Sequence, residues 1–259
     1  MIDYLERVWG LRYFWLSLVR LDLRTRYRRS ALGIGWALLQ PLGMATVISI
    51  VFSSLFNMSA REFPMILAGL CVWNFIGGST SAGCHCFTLN ENYIRQFPAP
   101  LAIYPLRVAL GSVFHLSITL TMVLGFSWVL RTGPNFISVA SLIPSLLLMG
   151  VLGWSISTLM AVSNTRFPDL AHISDVVLQM LFYATPIVYP ASMLRERGMG
   201  WLIDVNPFAA VLAMVRMPIL DCTYPPLPTT IYALGFCLGL ASLASLALAR
   251  SQNRLIYQL

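Results

Sequence analysis

The chain has 259 residues, 58% of them hydrophobic and only 10% charged, with a mean hydropathy of +0.74 and a formal charge of +7. Soluble domains carry about 25% charged residues, so a water-soluble globule, a disordered chain and a disulfide-built secreted fold are all excluded. All 17 basic residues are arginine, which removes any phosphate loop of the G-x-x-x-x-G-K-[ST] kind, since that loop needs its lysine. ATP-driven work would need a second chain.

Residues 1–32 hold seven arginines against three acids, and their apolar runs are too short to span a bilayer. Leu5, Val8, Trp9, Leu16, Val19, Leu23 and Tyr27 fall near one face at helical spacing, with Glu6, Ser17, Arg24 and Arg28 opposite. This pattern predicts an N-terminal amphipathic helix in the membrane interface, aromatics among headgroups and arginines toward lipid phosphate.

Six apolar stretches follow, at about 33–56, 64–86, 108–130, 138–162, 173–190 and 229–249. A span takes about 20 apolar residues, so we expect an all-α integral membrane protein of six transmembrane helices, one domain over 33–252. With the first flank inside, the inner segments hold twelve arginines and the outer ones five. The inside-positive bias then places both termini in the cytoplasm.

Two connections exceed a tight turn. The inner one, 87–107, is polar at first and then carries Pro98, Pro100 and Pro105, which forbid a straight helix. A short helix across the membrane surface fits it. The outer one, 190–228, is too apolar for a solvated loop yet is broken by Asp204, Asn206-Pro207, Arg216 and Pro218. Backbone at membrane depth must be helical or buried in protein, so 205–220 is expected to form one or two re-entrant half-helices.

Small residues recur every four positions at Gly153, Ser157 and Ala161, and again at Gly235 and Gly239 with Ala241, Ser245 and Ala249. That spacing permits close helix packing. In Cys84-His85-Cys86 a two-residue step turns the thiolates about 200° apart, so no metal site is expected. The acids lie almost wholly outside the spans and the three histidines are far apart, which argues against catalysis and against an ion relay. His115, inside the third span, is either functional or a neutral histidine bonded to a neighbouring helix.

The run from Asp22 to Gly33, followed by Gly35-Trp36 and Gln40-Pro41, resembles the opening motif of permease subunits of polysaccharide ABC exporters. Trp73-Asn74-Phe75, Phe97-Pro98 with Leu106, Arg166 to Asp169, Thr185 to Tyr189 and Asn206-Pro207-Phe208 continue the resemblance in family order. Within that family, which exports O-antigen, capsule or teichoic-acid chains, the O-antigen type is the most similar. The resemblance implies a homodimer in the bacterial inner membrane with two copies of a separate cytoplasmic ATPase. ATP and Mg would sit on that partner, leaving this chain without its own ATP hydrolysis or cofactor. It further implies a coupling helix at about 88–98, carrying Asn90, Glu91, Tyr93, Arg95 and Phe97 to the ATPase. Gate helices on the outer face would occupy about 191–222, with Asp204, Asn206, Pro207 and Arg216.

Sugars stack their C–H faces on aromatic rings and bond hydroxyls to polar tips, so Trp73, Phe75, Trp154, Tyr183 and Tyr189 are candidates for a glycan path. Arg24, Arg26, Arg28 and Arg29 sit where the interface helix meets the first span, placed either to bind the phosphate of a lipid-linked glycan in pairs or only to fix topology by the inside-positive bias. The expected function is outward movement of a lipid-linked polysaccharide, among membrane lipids and without nucleic acid. The competing readings are a drug or lipid exporter of the same architecture and a membrane scaffold without transport.

Overall fold

The computed structural model describes residues 2–27, 33–56, 59–96, 99–130, 135 and 139–258, with backbone alone for 2, 3, 5, 26, 27, 55, 56 and 252–258. Among the described residues the chain is helical throughout and has no strand. Its elements are α1 (Ile2–Gly10), α2 (Arg12–Tyr27), α3 (Gly35–Phe56), α4 (Phe63–His85), α5 (Glu91–Gln96), α6 (Ile103–Leu130) and α7 (Leu142–Asn164). There follow α8 (Leu170–Ala184), α9 (Ala191–Glu196), α10 (Trp201–Val205), α11 (Pro207–Leu220) and α12 (Leu227–Gln258), with 3-10 turns at Ala60–Glu62 and Thr88–Asn90.

Five of these helices are long and apolar enough to cross a membrane: α3, α4, α6, α7 and α12. The stretch expected as a fifth span over 173–190 forms only the 15-residue helix α8, about 22 Å long at about 1.5 Å per residue, against a hydrocarbon core of about 30 Å. It stops at Thr185, whose backbone is extended (φ −102°, ψ 137°), because proline at the next position disfavours helical geometry. The single helix expected over 1–32 is likewise two helices, α1 and α2, meeting at Leu11.

The core lies between α4 and α7, and small residues make it. A Cβ on Gly83 would stand 2.6 Å from the Ser157 Cα, and one on Gly153 would stand 2.8 Å from the Phe75 ring. The Ser157 hydroxyl donates to the Ser79 carbonyl at 3.0 Å. The Gly153, Ser157, Ala161 stripe is therefore the seam along which α7 meets α4. Within the chain the second stripe meets no partner among the described residues: Gly235 and Gly239 have nothing within 4 Å of a built Cβ, and α12 instead buries Ala233, Cys237, Ala244 and Leu248.

Two polar ties show how the chain runs between α7 and α11. At the His85 end of α4, the Asn164 amide donates to the Cys84 carbonyl at 2.9 Å. At the Phe63 end, Arg216 on α11 bonds the carbonyls of Pro186 and Ile187 just after α8, and that of Met65 on α4. The segment 165–187 thus passes from one end of α4 to the other.

Candidate functional site

Three groups of residues fall into place along α4, the first and third of them expected from the sequence. The first is at its His85 end. The chain turns through Thr88–Asn90 into α5, where Ile94 is buried and Leu89 (80% exposed) and Tyr93 (44%) stand out together one turn apart. Glu91 and Arg95 pair at 2.7 Å across that exposed turn. Asn90 faces inward: its amide donates to the Cys86 carbonyl at 2.7 Å and its side-chain oxygen accepts from Arg107 at 2.7 Å. Phe97 lies outside the described residues.

Arg107, at the start of α6, also holds Asp22 of α2, with Nε and one terminal nitrogen on the two carboxylate oxygens. A bidentate guanidinium–carboxylate pair is among the stronger hydrogen-bonded contacts. One side chain therefore ties the N-terminal helices, the 88–90 turn and α6 together. Tyr4 adds a second tie by accepting the Ala102 N–H at 3.2 Å. Burial pushes the Tyr4 phenol up from its ordinary pKa, and the Ala102 bond and Arg7 only partly offset this. Sequence reasoning missed the Asp22–Arg107 pair: the two lie 85 positions apart, and no spacing rule links them.

Of the four arginines proposed for phosphate, Arg24 is exposed on α2. The side chain of Arg26 and all of Arg28 and Arg29 lie outside the described residues. On the same helix pair, Arg12 stacks over Trp9 and Tyr13 at 5.7 and 4.7 Å from the ring centroids. Those two rings and Leu16 stay exposed, while Leu18 packs inward.

The second group is a stripe on α4. Asn74, Gly78, Ser81, Ala82 and His85 are exposed, so the side of the most buried span left open by the described residues carries only small or polar residues. The uncovered faces of α6, α7 and α12 carry Phe114 and Trp128, Ile143 and Leu147, and Leu234, Leu238, Leu243 and Leu246. Beside the stripe, Gln40, Asn74, Ser81, His115 and Thr119 line a cavity of about 400 Å³ between α3, α4 and α6.

The candidate path aromatics do not gather into one lining. Trp73 packs edge-on against Phe182 at 5.9 Å and Phe208 at 6.1 Å, and Phe182 touches Tyr183 at 5.3 Å. Tyr183 is exposed, and the Tyr189 hydroxyl donates to its carbonyl at 2.7 Å. Trp154 is half-buried on α7. Phe75 is 4% exposed with its ring against Gly153 in the α4–α7 seam, and it also lines the cavity beside the stripe. Cys84 and Cys86 are buried while His85 is exposed, so that triplet does not converge.

The third group is at the Phe63 end. Asn206 caps α11, its side-chain oxygen accepting the Phe208 N–H at 2.9 Å, with Pro207 in the first turn. Its amide reaches back to Thr185 Oγ1 at 2.8 Å. Asp204 pairs with Arg195 at 2.8 Å on the surface. Arg216 donates to three carbonyls at 2.7 to 3.1 Å, and its Nε is buried without a partner. Gly69 admits it, since a Cβ there would lie 2.5 Å from the guanidinium. Asp204 and Arg216 both line a cavity of about 710 Å³ with Glu62, Arg195, Asp221 and Tyr232.

The ABC-2 type transporter family matches residues 13–220, a span that includes α4, the α5 turn and the α11 brace. The chain belongs to the ABC-2 type transporter family. It is 26% identical over 229 residues to the O-antigen export system permease protein RfbA of Klebsiella pneumoniae, covering 86% of each chain. A protein of the same name from Myxococcus xanthus is 27% identical over 217 residues, 82% of each chain. The polysialic acid transport protein KpsM of Escherichia coli is 19% identical over 203 residues, 77% of this chain and 78% of that one. In this ABC-2 transporter, the groups at either end of α4 and the stripe between them are the functional candidates.

Proposed function

We propose that this chain is the membrane-spanning permease subunit of an ABC exporter that carries a lipid-linked polysaccharide of the O-antigen kind outward across the inner membrane. Relatives named for O-antigen export and polysialic acid transport support the substrate class. The observation that carries the reading is the stripe Asn74, Gly78, Ser81, Ala82 and His85. A helix face against lipid gains by carrying bulky apolar side chains, which the exposed faces of α6, α7 and α12 include and that of α4 lacks. A small, polar face on the innermost span gains only against water, hydroxyl-rich cargo or another helix. Two copies of the chain facing each other across this stripe would enclose a path for a glycan.

In this reading α8 with 185–190 makes a sixth crossing, both termini are cytoplasmic and 33–252 is one transmembrane domain. The α5 turn, presenting Leu89, Tyr93 and the Glu91–Arg95 pair, is the coupling helix received by a separate ATPase that holds ATP and Mg, two copies per dimer. The α10–α11 pair, braced by Asn206 and Arg216, is a re-entrant gate on the outer face. Arg24 and Arg26, with Arg28 and Arg29, meet the phosphate of the lipid-linked substrate at the inner face.

The test is to block the stripe without disturbing the fold. Nothing lies within 4 Å of a Cβ on Gly78 or on Gly125, an exposed position of α6. Gly78→Leu with Ser81→Leu should abolish surface polysaccharide on gels of whole-cell glycan, at normal membrane abundance. Gly125→Leu should leave it intact. Normal surface glycan in the stripe variant would refute the path.

A further inference from the structure

Arg166 and Arg250 open on one cavity of about 580 Å³ at the junction of α7 and α12, together with Ser163, Phe167 and Ser251. We infer that this cavity is a binding site for the phosphate of a membrane lipid, held by Arg166 and Arg250 with Phe167 against the acyl stem.

The charge balance of the cavity is the first argument. Elsewhere five of the ten described arginine side chains have an anion or a π-face. Arg95 pairs with Glu91, Arg107 with Asp22 and Arg195 with Asp204, while Arg7 and Arg12 lie over aromatic rings. Here two guanidinium groups line one space with no carboxylate among its described lining residues. Like charges in one concavity repel, and an anion between them relieves the repulsion. Arginine suits a phosphate best, because its planar fork offers paired N–H donors to two phosphate oxygens.

The second argument is preorganisation. Arg166 is held by a hydrogen bond from Nη2 to the Ser251 hydroxyl oxygen at 3.2 Å, and Ser251 itself is buried. That bond spans 85 positions of sequence and fixes one donor before any ligand arrives. Ser163 lies on the same wall.

Depth is the third argument. Val162 and Leu248, neighbours of the cavity on α7 and α12, belong to the apolar cluster that also holds Cys86, Ile94 and Tyr104. The cavity therefore lies at the end of the bundle where α1 and α2 rest, which is where a span leaves hydrocarbon for headgroups. Phe167 is 70% exposed there. Aromatic rings favour that boundary, and a ring beside two cations matches an amphipathic ligand better than a free ion. The site is distinct from the Arg24 to Arg29 group, which belongs to α2 and the residues after it.

The inference rests on the membrane reading and not on what is exported, so it is tested by binding. The full-length chain, purified in a neutral detergent, is titrated with short-chain phosphatidylglycerol and, separately, phosphatidylcholine, and bound lipid is counted by native mass spectrometry. The expected result is retention of phosphatidylglycerol over phosphatidylcholine, reduced at least about tenfold in Arg166→Gln/Arg250→Gln, as loss of charge-assisted hydrogen bonds implies. Arg250→Gln alone, at an exposed position with no bond among the described residues, gives the same direction should the double variant unfold. Undecaprenyl phosphate in equimolar competition separates the sources: displacement of phosphatidylglycerol assigns the site to a substrate carrier, and persistence assigns it to bilayer lipid. Equal phosphatidylglycerol retention by wild type and Arg250→Gln would overturn the proposal, as would equal retention of the two lipids by wild type.

Discussion

Removing the carboxylate of Asp22 should loosen the N-terminal helices from the bundle. In the native structure Arg107 spends two donors on Asp22 and a third on Asn90. Its side chain is 14% exposed and that of Asp22 is 45% exposed, so truncating either partner has different consequences. Asp22→Ala leaves a buried guanidinium with only a neutral acceptor. Arg107→Met leaves a carboxylate that water can reach, although the Asn90 oxygen is stranded. Breaking a fully buried pair from one side costs about 3–5 kcal/mol, and an exposed pair is worth about 0.2–1 kcal/mol. With one partner sheltered and the other half in water, about 2 kcal/mol is expected for Asp22→Ala, between those limits. A double-mutant cycle with Arg107→Met separates pair from packing, read by SDS-driven unfolding in mixed micelles with circular dichroism. The double variant should recover part of the loss, giving a coupling energy of at least about 1 kcal/mol. A coupling below about 0.5 kcal/mol, the limit of additivity for independent sites, would mean that water already satisfies both groups and that the tie is geometric only.

Asn206→Ala removes the α11 cap and the link to Thr185 and should cost about 1–2 kcal/mol, seen as earlier unfolding in the same SDS titration; wild-type stability would show the brace to be idle. Gly69→Ala drives a methyl against Arg216 and the Ile187 carbonyl, 2.5 and 2.7 Å away, and should destabilise by about 1–3 kcal/mol. Protease protection of the 185–207 region would fall with it, and an unchanged digestion pattern would contradict the packing. Replacing Glu91 and Arg95 together by alanine should change stability by less than about 0.5 kcal/mol, as for an exposed i,i+4 pair, yet weaken co-purification with the ATPase. Undiminished co-purification together with normal export would place the coupling contact elsewhere.

Much of this was readable from local pattern. Five of the six expected spans, the polar break before Glu91 and the interruption at Asn206-Pro207 depend on neighbours within a few positions and fall where the residues place them, whereas 173–190 forms only α8. The Gly153, Ser157, Ala161 stripe was legible as a packing seam, but its partner was not: Gly83 and Phe75 became its mates only once α4 and α7 crossed. Gly235 and Gly239 carry the same spacing and meet nothing within 4 Å, since spacing describes one helix surface and says nothing about what faces it. Phe75 shows the same limit, because Trp73-Asn74-Phe75 reads as one motif while a helix turns its three side chains about 100° apart. Trp73 thereby joins Phe182 and Phe208, Asn74 is exposed and Phe75 enters the core.

Composition alone determined that this protein lives in a membrane, spans it with helices and lacks a lysine for a phosphate loop, because those properties sum over residues irrespective of their partners. Tertiary structure alone decided which polar groups meet. Asp22 with Arg107 and Arg166 with Ser251 are each 85 positions apart, and Arg216 and Met65 are 151 apart. In a low-dielectric interior an isolated charge is too costly to leave alone, so the buried guanidinium of Arg216 had to meet carbonyls. Which ones it met depended on how the helices packed.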